Sequence, residues 1–155
     1  MGMNSYNVYG YGFNCIYDEE LLINKDKLIL FIKEHSHTFC QSEEEKALYN
    51  DMLKGNHDLE NLFQNYDCDN SGIEGIGAVI SNIMTRETGV NFGYYPENLT
   101  CDTPASIVFL QLFPWQFNER EKDLTEEELY NICKKYIGEL GLEDNPDWLS
   151  LEYYG

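Results

Sequence analysis

One loop carries the opening of an EF-hand calcium site, with carboxylates, a hydroxyl and a glycine at the required spacing: Asp67, Asp69, Ser71 and Gly72. The twelfth position of such a loop should be a bidentate glutamate, and here it is Ala78. We therefore expect an acidic turn that binds calcium weakly or not at all. The sequence predicts no metal site and no cofactor, and a calcium-binding module at residues 67–72 is kept as an alternative function.

Two histidines and a cysteine lie close together in the sequence, at His35, His37 and Cys40. Imidazole and thiolate bind transition metals, but a fourth ligand at a suitable spacing is missing. We therefore expect histidines near a helix C-terminus, where the helix dipole favours a positive group. No side chain stands in the context of an activated nucleophile, and the glycines do not form a phosphate-binding loop. The sequence thus predicts neither an enzyme nor a catalytic residue.

The charge of the chain restricts the class of partner. Of 155 residues, 28 are acidic and 10 are basic, which gives a net charge of -18. Nucleic acids and anionic membrane surfaces bind lysine and arginine, so we expect no direct binding to either. The excess acid favours a basic protein partner, a cation or solubility alone. With 43% apolar residues, the chain can form one folded domain over residues 1–155.

The sequence also predicts the cellular compartment. The apolar run at residues 28–32 is too short to span a bilayer, and no leader sequence opens the chain. The five cysteines are odd in number and contain no C-x-x-C pair, which argues against a disulfide framework. These features predict a protein of a reducing cytoplasm.

The periodicity predicts an α+β fold, in which a small and mostly antiparallel β-sheet is packed with four or five helices. Alternating residues predict a strand at residues 6–17, and further strands are predicted at residues 90–95, 106–113 and 148–154. Residues 106–113 form a dense apolar run, which predicts a central position in the sheet. Capping residues and apolar stripes predict helices at residues 25–35, 42–55, 58–65, 73–89 and 125–141. The second helix is expected to bury one apolar stripe: Ala47, Leu48 and Met52. In the first strand, Gly10 and Gly12 leave room for an aromatic ring or another backbone.

The sequence is rich in aromatic residues, with 12 tyrosines, 8 phenylalanines and 2 tryptophans. A tyrosine can be half-buried and still present a hydroxyl to a partner, and tyrosines are frequent at protein interfaces. We expect Tyr94 and Tyr95 to be exposed anchors for a partner. Tyr153, Tyr154 and the corner at residues 114–117 are further candidates.

Three segments together resemble a group of known proteins: Tyr-Gly-Tyr-Gly-Phe at residues 9–13, Pro-Trp-Gln-Phe-Asn-Glu-Arg-Glu-Lys at residues 114–122 and Leu-Thr-Glu-Glu-Glu at residues 124–128. The combination is similar to small acidic proteins encoded by phages and mobile elements of Gram-positive gut bacteria. The resemblance implies a setting of conflict between phage and host. In that setting small acidic proteins act as inhibitors, among them anti-CRISPR proteins that occupy the nucleic-acid channels of Cas effectors.

These observations predict a non-enzymatic inhibitor of a bacterial immune nuclease, a CRISPR–Cas effector, in the host cytoplasm. About 10 base pairs of duplex DNA present roughly 20 phosphates, so a net charge of this size could compete for a basic channel. The alternatives are an antitoxin or immunity protein against a basic toxin nuclease, and the calcium-binding module. The predicted partner-binding residues are acids on one face, with two tyrosines as anchors: Glu43, Glu44, Asp51, Asp67, Asp69, Glu126, Glu127, Glu139, Tyr94 and Tyr95.

Overall fold

The computed structural model describes residues 5–17, 20–55, 58–64, 66, 73–96, 105–110 and 114–154. It confirms the α+β class, because helices accompany a five-stranded antiparallel sheet. The strands are β1 (Ser5–Tyr17), β2 (Glu20–Leu21), β3 (Phe92–Pro96), β4 (Ala105–Leu110) and β5 (Asp147–Tyr154).

The long strand β1 lies in the middle of the sheet. Strand β4 pairs along one edge of β1, and β3 pairs with the far edge of β4. Strands β5 and β2 share the other edge of β1. The strand predicted at residues 106–113 is confirmed as a central strand over Ala105–Leu110, and residues 111–113 lie outside the described residues. In the register of the sheet, Tyr11 of β1 lies opposite Phe109 of β4 and Trp148 of β5.

Several helices begin or end at predicted capping residues. Two short helices, Ser36–Phe39 and Glu119–Lys122, are not predicted by the sequence, so the described residues contain seven helices where four or five are expected. Asn24 caps the first helix, and Ser42 and Glu45 form the predicted capping box of the third. Gly141 ends the last helix with a φ of 68°, which glycine adopts without strain. Within the described ranges, no helix combines the length and the apolar character needed to cross a membrane. The helices are α1 (Lys25–Glu34), α2 (Ser36–Phe39), α3 (Glu43–Leu53), α4 (Leu59–Leu62), α5 (Ile73–Thr88), α6 (Glu119–Lys122) and α7 (Glu126–Leu140).

The core lies between one face of the sheet and the helix layer. Tyr11, Phe13 and Cys15 alternate along β1 and are buried, whereas Tyr9, earlier on the same face, is 51% exposed. Helix α7 packs on β1, and α5 packs on β3. These two helices add apolar stripes to the core: Ile76, Ile80, Ile83, Leu129, Cys133 and Ile137.

Glycine on the opposite face of β1 allows β4 to approach closely. A Cβ atom added at Gly12 would collide with the backbone carbonyl of Ile107. This finding confirms that Gly12 makes room for a neighbouring backbone.

The stripe predicted for α3 is partly wrong. Met52 is buried and Leu48 is half-buried, but Ala47 is exposed. Glu45 occupies the interior instead and is buried. The reason is a charged partner on α5: Arg86 lies 2.9 Å from the Glu45 carboxylate and compensates its burial.

Candidate partner-binding surface

The first turn of α7 presents two of the predicted acidic contacts to solvent. The hydroxyl of Thr125 caps the turn by accepting a hydrogen bond from the N–H of Glu128 at 3.1 Å. Glu126 and Glu127 are exposed there, where the helix dipole stabilises negative charge. The carboxylate of Glu128 is instead paired with Arg120 at 2.9 Å. The turn therefore holds a pair of exposed acids without a cost to the helix.

A tryptophan at the start of β5 lies next to this turn. The indole Nε1 of Trp148 donates a hydrogen bond to Oε1 of Glu126 at 3.1 Å. The Trp148 ring packs edge-to-face on Tyr11, with ring centroids 5.3 Å apart and planes at 81°. The Trp148 side chain is nevertheless 40% exposed, and the adjacent Asp147 is exposed as well. Two contacts therefore hold an exposed indole beside the Glu126 carboxylate.

Two exposed tyrosines flank the same region. Tyr9 precedes Tyr11 by two residues on the same face of β1, and Tyr130 follows Glu126 by one turn of α7. Tyr9 is 51% exposed and Tyr130 is 42% exposed. We call the six exposed residues the α7–β5 surface: Tyr9, Glu126, Glu127, Tyr130, Asp147 and Trp148.

The buried Tyr11 phenol shows how close these groups lie. Burial raises the pKa of Tyr11, and the negative charges of Glu126 and Asp147 raise it further. The phenol therefore stays protonated beneath the surface. The acids of α7 and β5 together form one negative field around it.

The acids of α3 form a second group. Glu43, Glu44 and Asp51 are exposed, and Glu43 lies 3.5 Å from Lys46 in a solvent-exposed pair of little energetic weight. Helix α3 packs on α2 and α4, whereas α7 packs on α1 and β1. The predicted acidic contacts are thus distributed over two groups on different helices. Whether both belong to one face stays a prediction.

Two predicted residues, Asp67 and Asp69, lie outside the described residues, together with the rest of the loop at residues 67–72. The structure therefore gives no geometry for the calcium alternative. Among the residues that the structure describes, no group of three or more His, Cys, Asp or Glu side chains could hold a metal ion.

Tyr94 and Tyr95 are less exposed than the sequence analysis expects, and their role as anchors for a partner stays a prediction. Both are half-buried on β3. The ring of Tyr94 packs against Gly77 of α5 so closely that a Cβ atom there would collide with it. The ring of Tyr95 covers Gly93 in the same way. The exposed aromatic side chains of the described residues include Tyr9, Tyr130 and Trp148, and also Trp115 of the predicted corner at residues 114–117.

Glu139, the remaining predicted contact, belongs to a polar cluster between helices. Its Oε1 lies 3.3 Å from Nε2 of His35, and its Oε2 is buried without a hydrogen-bond partner in the part of the chain that is described. On the other side of the imidazole, Nδ1 lies 2.6 Å from Oε2 of Glu87. Tyr136 and Thr38 donate hydroxyl hydrogen bonds to the Glu87 carboxylate at 2.6 and 2.9 Å. We call these five residues the His35 cluster.

The His35 cluster connects α1, α2, α5 and α7 at their ends. His35 is the C-terminal cap of α1, so it lies near a helix C-terminus as predicted, but its ring is buried. Burial raises the pKa of Glu87, yet the hydrogen bonds from Tyr136, His35 and Thr38 outweigh this effect and lower it below the usual value. The cluster thus holds a stable carboxylate in the helix layer. Its hydrogen bonds connect the four helices to one another.

A second polar cluster surrounds the buried Glu45. Its Oε1 accepts hydrogen bonds from the backbone N–H groups of Gln41 and Ser42, and its Oε2 accepts one from the Tyr66 hydroxyl at 2.7 Å. Arg86 completes the set at 2.9 Å. Burial raises the pKa of Glu45, but these hydrogen bonds outweigh burial and lower it. An open depression of about 400 Å³ lies over the cluster.

The thiols of the core have no nucleophilic character. Burial raises the pKa of Cys15 and of Cys133 to about 12, so both stay protonated at neutral pH. Burial also raises the pKa of the half-buried Cys40. These three cysteines carry thiols in the described part of the chain.

The α7–β5 surface could not be found from sequence periodicity. Tyr9 and Tyr11 share the apolar face of β1, and only the position of α7 decides which of them is covered. Trp148 contacts Tyr11 because β5 pairs with β1 in the register that places these two residues opposite each other. They are more than 130 positions apart in the sequence, so no local pattern predicts the contact. The weak signal in the sequence is the adjacency of Asp147 and Trp148.

Comparisons with known proteins gave no match to this chain, whether with protein-family models, with curated proteins or with solved structures.

Proposed function

We propose that the protein is a non-enzymatic inhibitor that binds the basic nucleic-acid channel of a bacterial immune nuclease, with CRISPR–Cas effectors as the first candidates. The observation that carries this proposal is the α7–β5 surface, where three exposed aromatic side chains border exposed carboxylates. Aromatic side chains are enriched at the centres of protein interfaces. Carboxylates around them steer a basic partner and disfavour a polyanion.

The net charge of -18 supports the same class of partner. A basic channel that binds nucleic acid presents lysines and arginines to phosphates, and exposed carboxylates can occupy those positions. The resemblance to small acidic proteins of phages and mobile elements supports a bacterial defence nuclease as the partner. The bacterial host cytoplasm is then the compartment in which both proteins meet.

The first experiment measures inhibition of a panel of purified Cas effectors and toxin nucleases by the wild-type protein and two charge variants. One variant carries Asp123→Lys, Glu126→Lys and Glu127→Lys at the start of α7. The matched control carries the α3 acids reversed: Glu43→Lys, Glu44→Lys and Asp51→Lys. Each variant reverses three exposed acids, most of them in the first turn of a helix, so net charge and dipole effects are matched.

We expect the α7 variant to lose inhibition by more than about tenfold, or about 1.4 kcal/mol, while the α3 variant loses less. Circular dichroism first verifies that both variants are folded. Equal losses in the two variants would assign the effect to net charge and contradict a localised α7–β5 interface. Inhibition of a toxin nuclease alone would select the antitoxin alternative, and inhibition of no nuclease in the panel would retire the proposal.

A further inference from the structure

The indole of Trp148 is held in one orientation although much of it faces solvent. Its Nε1–H bond to Glu126 and its edge-to-face contact with Tyr11 restrain the ring from two sides. A restrained aromatic side chain loses little conformational entropy when a partner binds, so it contributes more of its contact energy to affinity. The other tryptophan, Trp115, is 77% exposed and lies in a short 3₁₀ turn away from β5 in the sequence.

The charges around Trp148 select the chemistry of the occupant. Glu126 is hydrogen-bonded to the indole itself, and Asp147 precedes Trp148 in the chain and accepts its backbone N–H at 2.7 Å. Each carboxylate can accept several hydrogen bonds. A cation placed against the indole is therefore attracted by the ring and by the Glu126 carboxylate, whereas Asp147 lies opposite Gly12 in the register of the sheet and holds the backbone of Trp148.

We propose that Trp148 receives an arginine side chain of the basic partner, with the guanidinium against the indole and its N–H groups directed to the Glu126 carboxylate. Charge complementarity excludes an anion from this position. The planar guanidinium stacks on an aromatic ring and pairs with carboxylates in a fixed geometry, whereas an ammonium group is a hydrated point charge. The inference rests on the proposed function, because it names the side chain through which a basic partner is held.

The test uses hexa-arginine and hexa-lysine peptides with the full chain. In a Trp115→Phe background Trp148 is the single tryptophan, so its fluorescence reports on this position alone. We expect hexa-arginine to quench Trp148 and to bind several-fold more tightly than hexa-lysine. Calorimetry then measures hexa-arginine binding by Trp148→Leu, Trp148→Phe and Trp115→Leu. The Trp115→Leu variant is the matched control, because it also loses an exposed indole.

We expect Trp148→Leu to weaken hexa-arginine binding about two- to thirtyfold, the range of a cation–π contact, and Trp115→Leu to leave it unchanged. Trp148→Phe, which keeps the packing on Tyr11, should fall between wild type and Trp148→Leu and guards against a folding defect. Equal binding of both peptides, or equal losses at Trp115 and Trp148, would overturn the inference. A nuclease that is inhibited as well by Trp148→Leu as by wild type would overturn it while leaving the proposed function intact.

Discussion

Two carboxylates contact the imidazole of His35, and they are satisfied to different degrees. Glu87 accepts three hydrogen bonds, from His35, Thr38 and Tyr136. Glu139 makes one long contact of 3.3 Å and keeps one buried oxygen without a partner among the described residues. The ring can donate from both nitrogens only when it is protonated. Most of the cohesion of the His35 cluster therefore comes from Glu87.

At the residue scale we predict that Glu87→Gln lowers the free energy of unfolding by about 2 kcal/mol at neutral pH, because donors from three side chains lose a charged acceptor. The matched change Glu139→Gln should cost less than about 1 kcal/mol. The folded-state pKa of Glu87 is lowered, so its contribution is fully present above the ordinary pKa of a glutamate, about 4.3. That contribution is lost as the pH falls through the lowered folded-state pKa.

Urea unfolding of wild type and both variants measures these differences. The difference in free energy of unfolding between wild type and Glu87→Gln should stay constant from neutral pH down to the ordinary pKa of a glutamate, about 4.3, and shrink at lower pH as the native carboxylate takes up its proton. A loss in Glu139→Gln as large as that in Glu87→Gln would show that both carboxylates support the imidazole equally.

At the scale of elements, the position of β1 between β4 and β5 depends on a glycine. A Cβ atom at Gly12 would collide with the Ile107 carbonyl, and backbone cannot move aside as a flexible side chain can. By contrast, Gly138 lies on the exposed face of α7 with no atom within 4 Å of an added Cβ. Replacing glycine by alanine is therefore expected to destabilise the protein at position 12 and to stabilise it at position 138.

We predict that Gly12→Ala destabilises the protein by about 1–3 kcal/mol through overpacking between strands. Gly138→Ala should stabilise it by roughly 0.5–1 kcal/mol, because alanine reduces the entropy cost of forming the helix. Thermal unfolding followed by circular dichroism compares the two variants with wild type. A melting temperature of Gly12→Ala at or above that of wild type would mean that β4 is not held this closely.

Local sequence signals predict the elements well and the polar interior poorly. Ser42, with its reciprocal partner Glu45, fixes the start of α3 because capping acts within one turn. The same Glu45 is buried because Arg86, on a different helix, meets it, and no local pattern contains that pairing. His35 shows a partial signal, since it continues the buried stripe of Phe31 and Ile32 in α1. An apolar stripe predicts that the imidazole is buried, but it does not predict which distant carboxylates contact it.

At the scale of the whole molecule, the net charge of -18 acts on stability and on binding with opposite signs. In the folded state the acids are held closer together than in the unfolded chain, so their mutual repulsion opposes folding. Salt screens this repulsion. Salt also screens the attraction between the acids and a basic partner, which slows the encounter and weakens the complex. The two effects can be measured on the same protein.

We predict that raising sodium chloride from about 20 mM to about 300 mM, which shortens the screening length from roughly 20 Å to roughly 6 Å, raises the melting temperature of the protein. Over the same range the association rate with an inhibited nuclease should fall by at least about tenfold. The variant with Asp123, Glu126 and Glu127 reversed to lysine should show a smaller salt effect in both measurements, because it carries fewer net charges. Scanning calorimetry measures how the melting temperature changes with salt concentration, and stopped-flow fluorescence measures how the association rate changes. A melting temperature that falls with added salt would mean that attractive pairs such as Arg86–Glu45 outweigh the repulsion among the exposed acids.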